Sequence, residues 1–427
     1  MSQHMSSDSM MLKLMDKLCE PGISCKESLD VTTLLLKKLG SPIMTNLYYN
    51  TVKQLLERIS SVMIDHEAIK ALLDIVSDAL KGGEIIDELG LDADTAGEKG
   101  LRLLVVLSFV FPNHFVYKDT IKSLLQNMTH KKECVSPLIL NVLSFIGKYK
   151  PINETFPDLH DILRKLCITY VSVGTPKQAK QAIKCLHLNT TENIEQVFTE
   201  VFDKIKENLN GEKNKNYLTA IVALGHLAFY LPDKFPAHIK NLVSRKIVKD
   251  LVMVDQTPAR GGTEEWCSNE ELCLETQCKL EGLKMMARWL LGLKTDEVTA
   301  QKTFRMLDAI IVSGGDLLEN QKPNPAEKAW LRLSAGCAML KICEQKGVGD
   351  QFTTKQFYNL SRLALDKVEQ VRERFVQKLH KGLNRGIPNK CLPLDFMGIY
   401  AFSGFLFIYF LTAIHYYIHR QLIKFKY

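Results

Sequence analysis

The chain repeats one design: an amphipathic helix of roughly 10–20 residues, a short turn, and another such helix. Period-two alternation, the mark of a half-buried strand, is almost absent. The clearest unit is Gly174-Thr-Pro-Lys-Gln-Ala-Lys-Gln-Ala-Ile-Lys-Cys-Leu-His187. Thr175 is placed to cap it, because a hydroxyl can accept an orphan N–H of the first turn, and Pro176 sits where a missing N–H costs nothing. Ala179, Ala182, Ile183 and Leu186 then fall on one face at i, i+3, i+4 and i+7. Leu218, Ile221, Val222 and Gly225 form a second stripe ended by Pro232. Trp330, Leu333, Cys337 and Leu340 form a third, entered after Pro323 and Pro325. Leu363, Val371, Phe375 and Leu379 belong to a helix pair at 357–383. The same pattern predicts helices over 28–39, 47–61, 67–80, 98–110, 118–127, 136–147, 157–170, 193–208, 237–254, 270–292 and 298–312.

Helical hairpins recurring every ~35–45 residues are the period of HEAT- or armadillo-type arrays. No hairpin can bury its apolar face alone, so neighbours must stack. The expected fold is therefore all-α, a HEAT-type α-solenoid of stacked helical hairpins over 11–395, preceded by a disordered stretch at 1–10. Asp366-Lys-Val-Glu-Gln-Val-Arg-Glu-Arg-Phe375 carries a local signature of such repeats. Asp366 in the inter-helix turn and Arg372 opening the next helix suit a ladder of charge-assisted bonds between repeats. Two stretches interrupt the array. Residues 82–98, with six acids and Gly83, Gly90 and Gly97, read as a solvated loop; 255–270, with Pro258, Gly261, Gly262 and Trp266, read as a longer inter-helix loop.

Composition narrows the function. The net charge is +7, and Arg420, Lys424 and Lys426 beyond the last acid, Asp395, leave +4 for the rest, too mild and too mixed for autonomous DNA binding. Eleven Cys are scattered without a C-x-x-C pair, which points to a reducing compartment. No constellation for chemistry is found. Gly174-Thr-Pro lacks the remainder of a phosphate loop, Gly314-Gly315-Asp316 reads as a helix end, and there is no H-E-x-x-H or G-x-S-x-G. His415 and His419 are one turn apart but lack further ligands. No catalytic residue, metal site or cofactor is expected, and the chain reads as a binding scaffold rather than an enzyme.

From Phe396 to Ile414 no residue is charged. A spanning helix needs ~20 apolar residues, so the run through Phe405, Phe410 and Ile414 is just long enough. Tyr416, Tyr417, Arg420 and Lys424 follow as an interfacial belt would, in a basic tail at 415–427. A membrane anchor is one reading. The abrupt shift after Tyr400 to Phe, Ile, Tyr, Leu and Lys, whose codons are rich in A and T, equally fits an unrelated alternative terminus.

Several further runs carry a resemblance: Ile247-Val-Lys-Asp-Leu251, Arg288-Trp-Leu-Leu-Gly-Leu-Lys294, Val312-Ser-Gly-Gly-Asp-Leu317, Leu331-Arg-Leu-Ser-Ala-Gly336, Gln377-Lys-Leu-His-Lys381 and Leu392-Pro-Leu-Asp-Phe-Met-Gly-Ile-Tyr400. With the Gly174–His187 run they resemble, in collinear order over about residues 11–400, the central part of the precocious-dissociation-of-sisters family of HEAT-repeat cohesin regulators. The resemblance implies a non-catalytic nuclear scaffold, acting on chromatin in sister-chromatid cohesion through the cell cycle. Its implied partners are the kleisin subunit of cohesin, the wings-apart-like release factor, and the acetyltransferase and maintenance factors that oppose release. The family's N-terminal repeats and C-terminal extension have no counterpart here, so release-factor binding is expected to be impaired. A membrane-tethered helical adaptor is the competing function, and the apolar run is its sole support.

Within these runs, exposed polar residues on capped helices are the best candidates for contact with a partner. Lys177, Gln178, Lys180 and Gln181 lie opposite the Ala stripe, and Arg245 and Lys249 near the end of another helix. Lys177, Lys180 and Lys249 are expected to form a concave basic face for an extended acidic segment. Trp289 reads as core, with the role of its neighbour Arg288 left open, and Arg372 as a structural ladder residue.

Overall fold

The computed structural model describes residues 64–82, 93–130, 132–294, 296–384 and 392–402. Regular structure among them is entirely helical. The chain divides into two compact units, residues 1–167 with 184–194, and 168–183 with 195–427. The helices expected at 28–39 and 47–61 and the stretch 1–10 lie outside the described residues.

In the first unit the helices are α1 (His66–Lys81), α2 (Ala93–Val110), α3 (Lys118–Asn127) and α4 (Val135–Tyr149). Asp65 caps α1 by accepting the Ala68 N–H at 2.9 Å, and Gly82 closes it in the left-handed region at φ 78°. α1 packs on α2 and α3, and α4 on both α2 and α3, so alternate helices stack in two rows. Part of the loop expected at 82–98 is helix: α2 begins at Ala93, and Gly97 and Gly100 are contact points within it. A Cβ on Gly97 would come within 2.9 Å of Leu80, and one on Gly100 within 2.4 Å of Val76. These glycines set the spacing between α1 and α2.

Helices α5 (Pro157–Val173) and α6 (Pro176–Asn189) are shared between the units. At the end of α6, fully buried Asn189 donates to the carbonyls of Leu143 (3.0 Å) and Cys185 (2.8 Å) and accepts the Ile152 N–H at 3.3 Å. Gly147 makes room for it, since a Cβ there would lie 2.4 Å from Asn189 Oδ1. One side chain thus ties α4, the turn after it and α6 together.

The second unit continues with α7 (Ile194–Asn210), α8 (Lys215–Tyr230), α9 (Pro236–Leu242, prolonged as a π-helix over Val243–Val252), α10 (Leu274–Leu293), α11 (Glu297–Val312), α12 (Pro325–Cys343), α13 (Thr354–Ser361) and α14 (Glu369–Leu383). α8, α10, α12 and α14 pack successively on one another in one row, while α9 leans on α10, and α11 on α12 and α13. This two-row stacking is an α-solenoid. The Gly314-Gly315 pair ends α11 with two left-handed residues, Gly315 lying where a Cβ would strike the Lys328 carbonyl at 2.2 Å.

The ladder is built differently from its sequence outline. Arg332 of α12 grips the Asp366 carboxylate with two bonds of 2.9 and 3.0 Å and donates to the Gly314 carbonyl at 2.7 Å. Arg372 meets the backbone of the same turn, donating to the carbonyls of Asp366 (2.6 Å) and Lys367 (3.2 Å). The stretch after α9 is a strap laid across three helices of the row. Asp255 pairs with Lys279 of α10, Thr257 bonds Glu275 of α10, and Arg260 pairs with buried Glu327 of α12 at 2.7 Å. Further along, Trp266 stacks on Trp330 of α12 at 4.5 Å, and Arg374 of α14 covers both rings at 4.9 Å.

The apolar run does not begin as a separate segment. Phe396, Ile399 and Tyr400 are buried, and Phe396 stacks on Phe352 at 5.8 Å and meets Phe357 edge-on at 5.4 Å. Phe396 is therefore core of the last hairpins and not the start of a membrane helix. Phe405, Phe410, Ile414 and the basic tail lie outside the described residues, and no described helix is long and apolar enough to cross a membrane.

Breaking a buried ion pair by removing one partner costs about 3–5 kcal/mol, whereas replacing both with apolar groups restores much of that. Arg332→Ala should accordingly lower urea-unfolding stability by about 3 kcal/mol, and Arg332→Met with Asp366→Leu by clearly less. Equal losses for the single and double variants would remove the pair from the account of how successive repeats are held.

Candidate partner-binding site

The Thr175 cap forms, and it uses up one of the candidate contact residues. The Thr175 hydroxyl accepts the Gln178 N–H at 3.3 Å, while the Gln178 side chain accepts the Thr175 N–H at 2.7 Å. This reciprocal box places Gln178 in the helix start. Lys177 and Lys180 are exposed, and Gln181 carries a buried Oε1 without a hydrogen-bond partner.

Lys180 is the residue around which a site assembles. Arg288 and Glu281 of α10 are close enough to act on its charge, and partial desolvation of its amine together with Arg288 lowers its pKa, although much of the side chain is exposed. Arg288 and Lys180 both bear on His226 of α8, which is 8% exposed. One carboxylate answers these cations. Glu281 accepts from Lys284 at 2.6 Å and stands 3.8 Å from Arg288 Nη1. Glu281, Lys284 and Arg288 share a face of α10 because they are three and four residues apart. Three cations thus surround a single acid, and two buried nitrogens, Arg288 Nη1 and His226 Nε2, have no hydrogen-bond partner. A buried polar atom left this way costs free energy until something fills its bond. For Arg288 Nη1, which can only donate, the filler must be an acceptor, and the excess positive charge favours a carboxylate or another oxyanion.

Arg245 and Lys249 are exposed on the π-helical part of α9. The structure brings Lys180, His226 and Arg288 within electrostatic reach of one another, without Arg245 or Lys249. His226 escapes sequence reading because it interrupts an otherwise apolar helix, where a lone His usually signals a satisfied core group. Its one signal is that it is the only titratable group between Tyr217 and Tyr230. Trp289 is buried, as expected of core. Among the described residues no cluster of three or more His, Cys, Asp or Glu could hold a metal ion, and their cysteines are free thiols.

Burial, with Arg288 and Lys180 adding to it, depresses the His226 pKa from 6.5 to about 3. The folded state therefore favours neutral His226. This contribution to stability is intact above pH 6.5, and is lost progressively as pH falls from 6.5 towards 3. Between pH 7 and pH 5 the loss is about 2 kcal/mol, from a tenfold change per pH unit below the unfolded pKa. Melting curves of the wild type and His226→Leu over that range should converge as pH falls by an amount of that order; parallel pH profiles would refute the buried neutral ring.

Comparisons with known proteins bear on what this arrangement serves. The family described as "Sister chromatid cohesion protein PDS5 protein" matches residues 2–407. The chain is 36% identical over 403 residues to the sister chromatid cohesion protein PDS5 homolog B of Mus musculus, which covers 94% of this chain and 27% of that protein. It is 34% identical over 402 residues to the PDS5 homolog A of Homo sapiens, covering 94% and 30%. With PDS5 homolog B-A of Xenopus laevis the identity is 34% over 402 residues, covering 94% and 27%. The chain thus spans less than a third of the length of these relatives.

Proposed function

Because the chain belongs to the PDS5 family of sister chromatid cohesion proteins, we propose that it is a non-catalytic nuclear scaffold that regulates the association of cohesin with chromatin by binding the kleisin subunit. The observation that carries this reading is the cation cluster of Lys180, Arg288 and Lys284 around Glu281, with Arg288 Nη1 and His226 Nε2 buried and unsatisfied. An acidic side chain of an extended kleisin segment, seated there, would accept from the buried Arg288 Nη1. Such a contact is worth more than a surface ion pair, because the guanidinium is already desolvated. Lys177, one turn away on α6, is exposed and extends the positive field without competing for the same carboxylate.

In this reading the contribution of Lys249 and Arg245, on the π-helical part of α9, is separate. The wings-apart-like release factor is a partner of the same assembly. Localisation follows the partner: chromatin through cohesin.

The test is recovery of a kleisin fragment by the full 427-residue chain. A chain cut at residue 395 would expose the core beneath Phe396, Ile399 and Tyr400. Charge reversal at Lys177, Lys180 and Lys249 together should weaken recovery about tenfold or more, the scale expected for loss of close charge pairs. Charge reversal of Lys180 alone should retain most of that effect. Equal recovery by wild type and triple variant would reject the reading.

A further inference from the structure

The second unit has a gap in one of its rows. α11 packs closely on α13, but α9 and α11, the preceding pair of that row, make little direct contact. Between them lies a groove of about 430 Å³, floored by Met286 and Trp289 of α10. Its walls are apolar: Val243 and Val248 from α9, Met253 just after it, and Val298 and Met306 from α11. In an α-solenoid each hairpin relies on its neighbour to cover such surface. Here the cover is missing, and Met253 and Val298 remain 45% and 61% exposed. Three methionines give the lining an adaptable shape, as on surfaces that accept helices of varied sequence.

The wall formed by α9 is itself unusual. Val243–Val252 is π-helical over its whole length, a geometry that is rare and occurs most often at functional sites. Charge selects the occupant. Lys240 and Lys302 line the groove, and Arg245 and Lys249 follow as exposed residues on the same α9 helix. The acid at the rim, Asp296, is already engaged: its carboxylate caps α11 through Thr299 N–H and lies 3.9 Å from Lys240. Asp250 is held likewise by Lys246 at 3.9 Å, and Glu297 opens α11 exposed. Two cations, Lys240 and Lys302, thus line the groove, and Asp296 sits against the first of them.

We propose that the groove between α9 and α11 is a docking site for an acidic amphipathic helix of a partner protein. Its apolar face would insert between Val248 and Met306 onto Trp289 and Met286, and its flanking carboxylates would reach Lys240 and Lys302. The volume lies within the range of pockets that accept ligand groups, and a groove between two helices is the common seat for such a helix. This surface is separate from the Lys180–Arg288 cluster and does not rest on the kleisin reading.

The probe is a stapled, fluorescently labelled helical peptide with Leu at i, i+4 and i+7 and Glu on the flanking faces, titrated against the full chain by anisotropy. Binding should weaken at least tenfold with Lys240→Glu/Lys302→Glu, and also with Val298→Asp, whose site is exposed enough to tolerate the change. It should weaken to the same degree when the Leu positions are scrambled or when Glu is replaced by Lys. Lys180→Glu should leave it unchanged, which separates this site from the cation cluster. Absence of binding, equal binding by the variants, or equal binding of the Lys peptide would overturn the proposal. So would sedimentation showing a dimer that Val298→Asp dissociates, because the occupant would then be a second copy.

Discussion

The close approach of α8, α10 and α12 is the constraint on which the rest of the second unit depends. Gly225 meets the backbone of Met285, where a Cβ would come to 3.1 Å, and Gly292 meets the Ala228 carbonyl, where it would come to 2.5 Å. Ala220, Ala223, Ala287, Ala335 and Ala338 fill the same row with small buried side chains. Helices this near one another present polar residues at the row's surface within interaction range. His226 and Arg288 influence one another for that reason, though they belong to different helices, and Lys180 of α6 is within reach of both. Bulkier residues at these contacts would move the helices apart, and the cluster would become separate solvated charges.

Much of this was legible in the sequence. The helical period, the Thr175 cap, the Gly314-Gly315 helix end and the Pro-marked starts lie in local chemistry, and local chemistry survives into the fold. The apolar period of 237–254 signals a helix but not its π-helical winding, which changes the backbone pattern without changing that period enough to notice. On composition Gly97 reads as a loop residue, whereas its small size serves a helix contact that is visible only in three dimensions. Asp366 announced a ladder, but its carboxylate partner, Arg332, lies 34 residues earlier in the preceding hairpin. Separations of that size are fixed by stacking and not by neighbouring sequence.

The candidate site shows the same division. Lys180 stood out because a polar residue opposite an apolar stripe must face outward. Its companions His226 and Arg288 are recognisable only through proximity, since nothing in their own helices marks them as a pair. Gln178 looked equally available and is consumed by the helix start. Burial also works through the strap: Glu275 is desolvated, which alone would raise its pKa, yet the Thr257 hydroxyl, the amides of Thr257 and Gln256, and Lys279 hold it at about 2. That carboxylate remains ionised in its cover of donors, so the strap keeps its grip across the acidities at which the buried histidines change.

A stack whose members touch only their neighbours behaves as a spring, with compliance added at each junction. The strap running from Asp255 to Trp266 breaks that rule, since it reaches α10 through Lys279, α12 through Glu327 and Trp330, and α14 through Arg374. Tension along the array is then carried in parallel by the strap and by the helix contacts, so extension there is shared rather than summed. This stretch is a stiff link in a pliant chain, and deformation imposed on the molecule concentrates outside it.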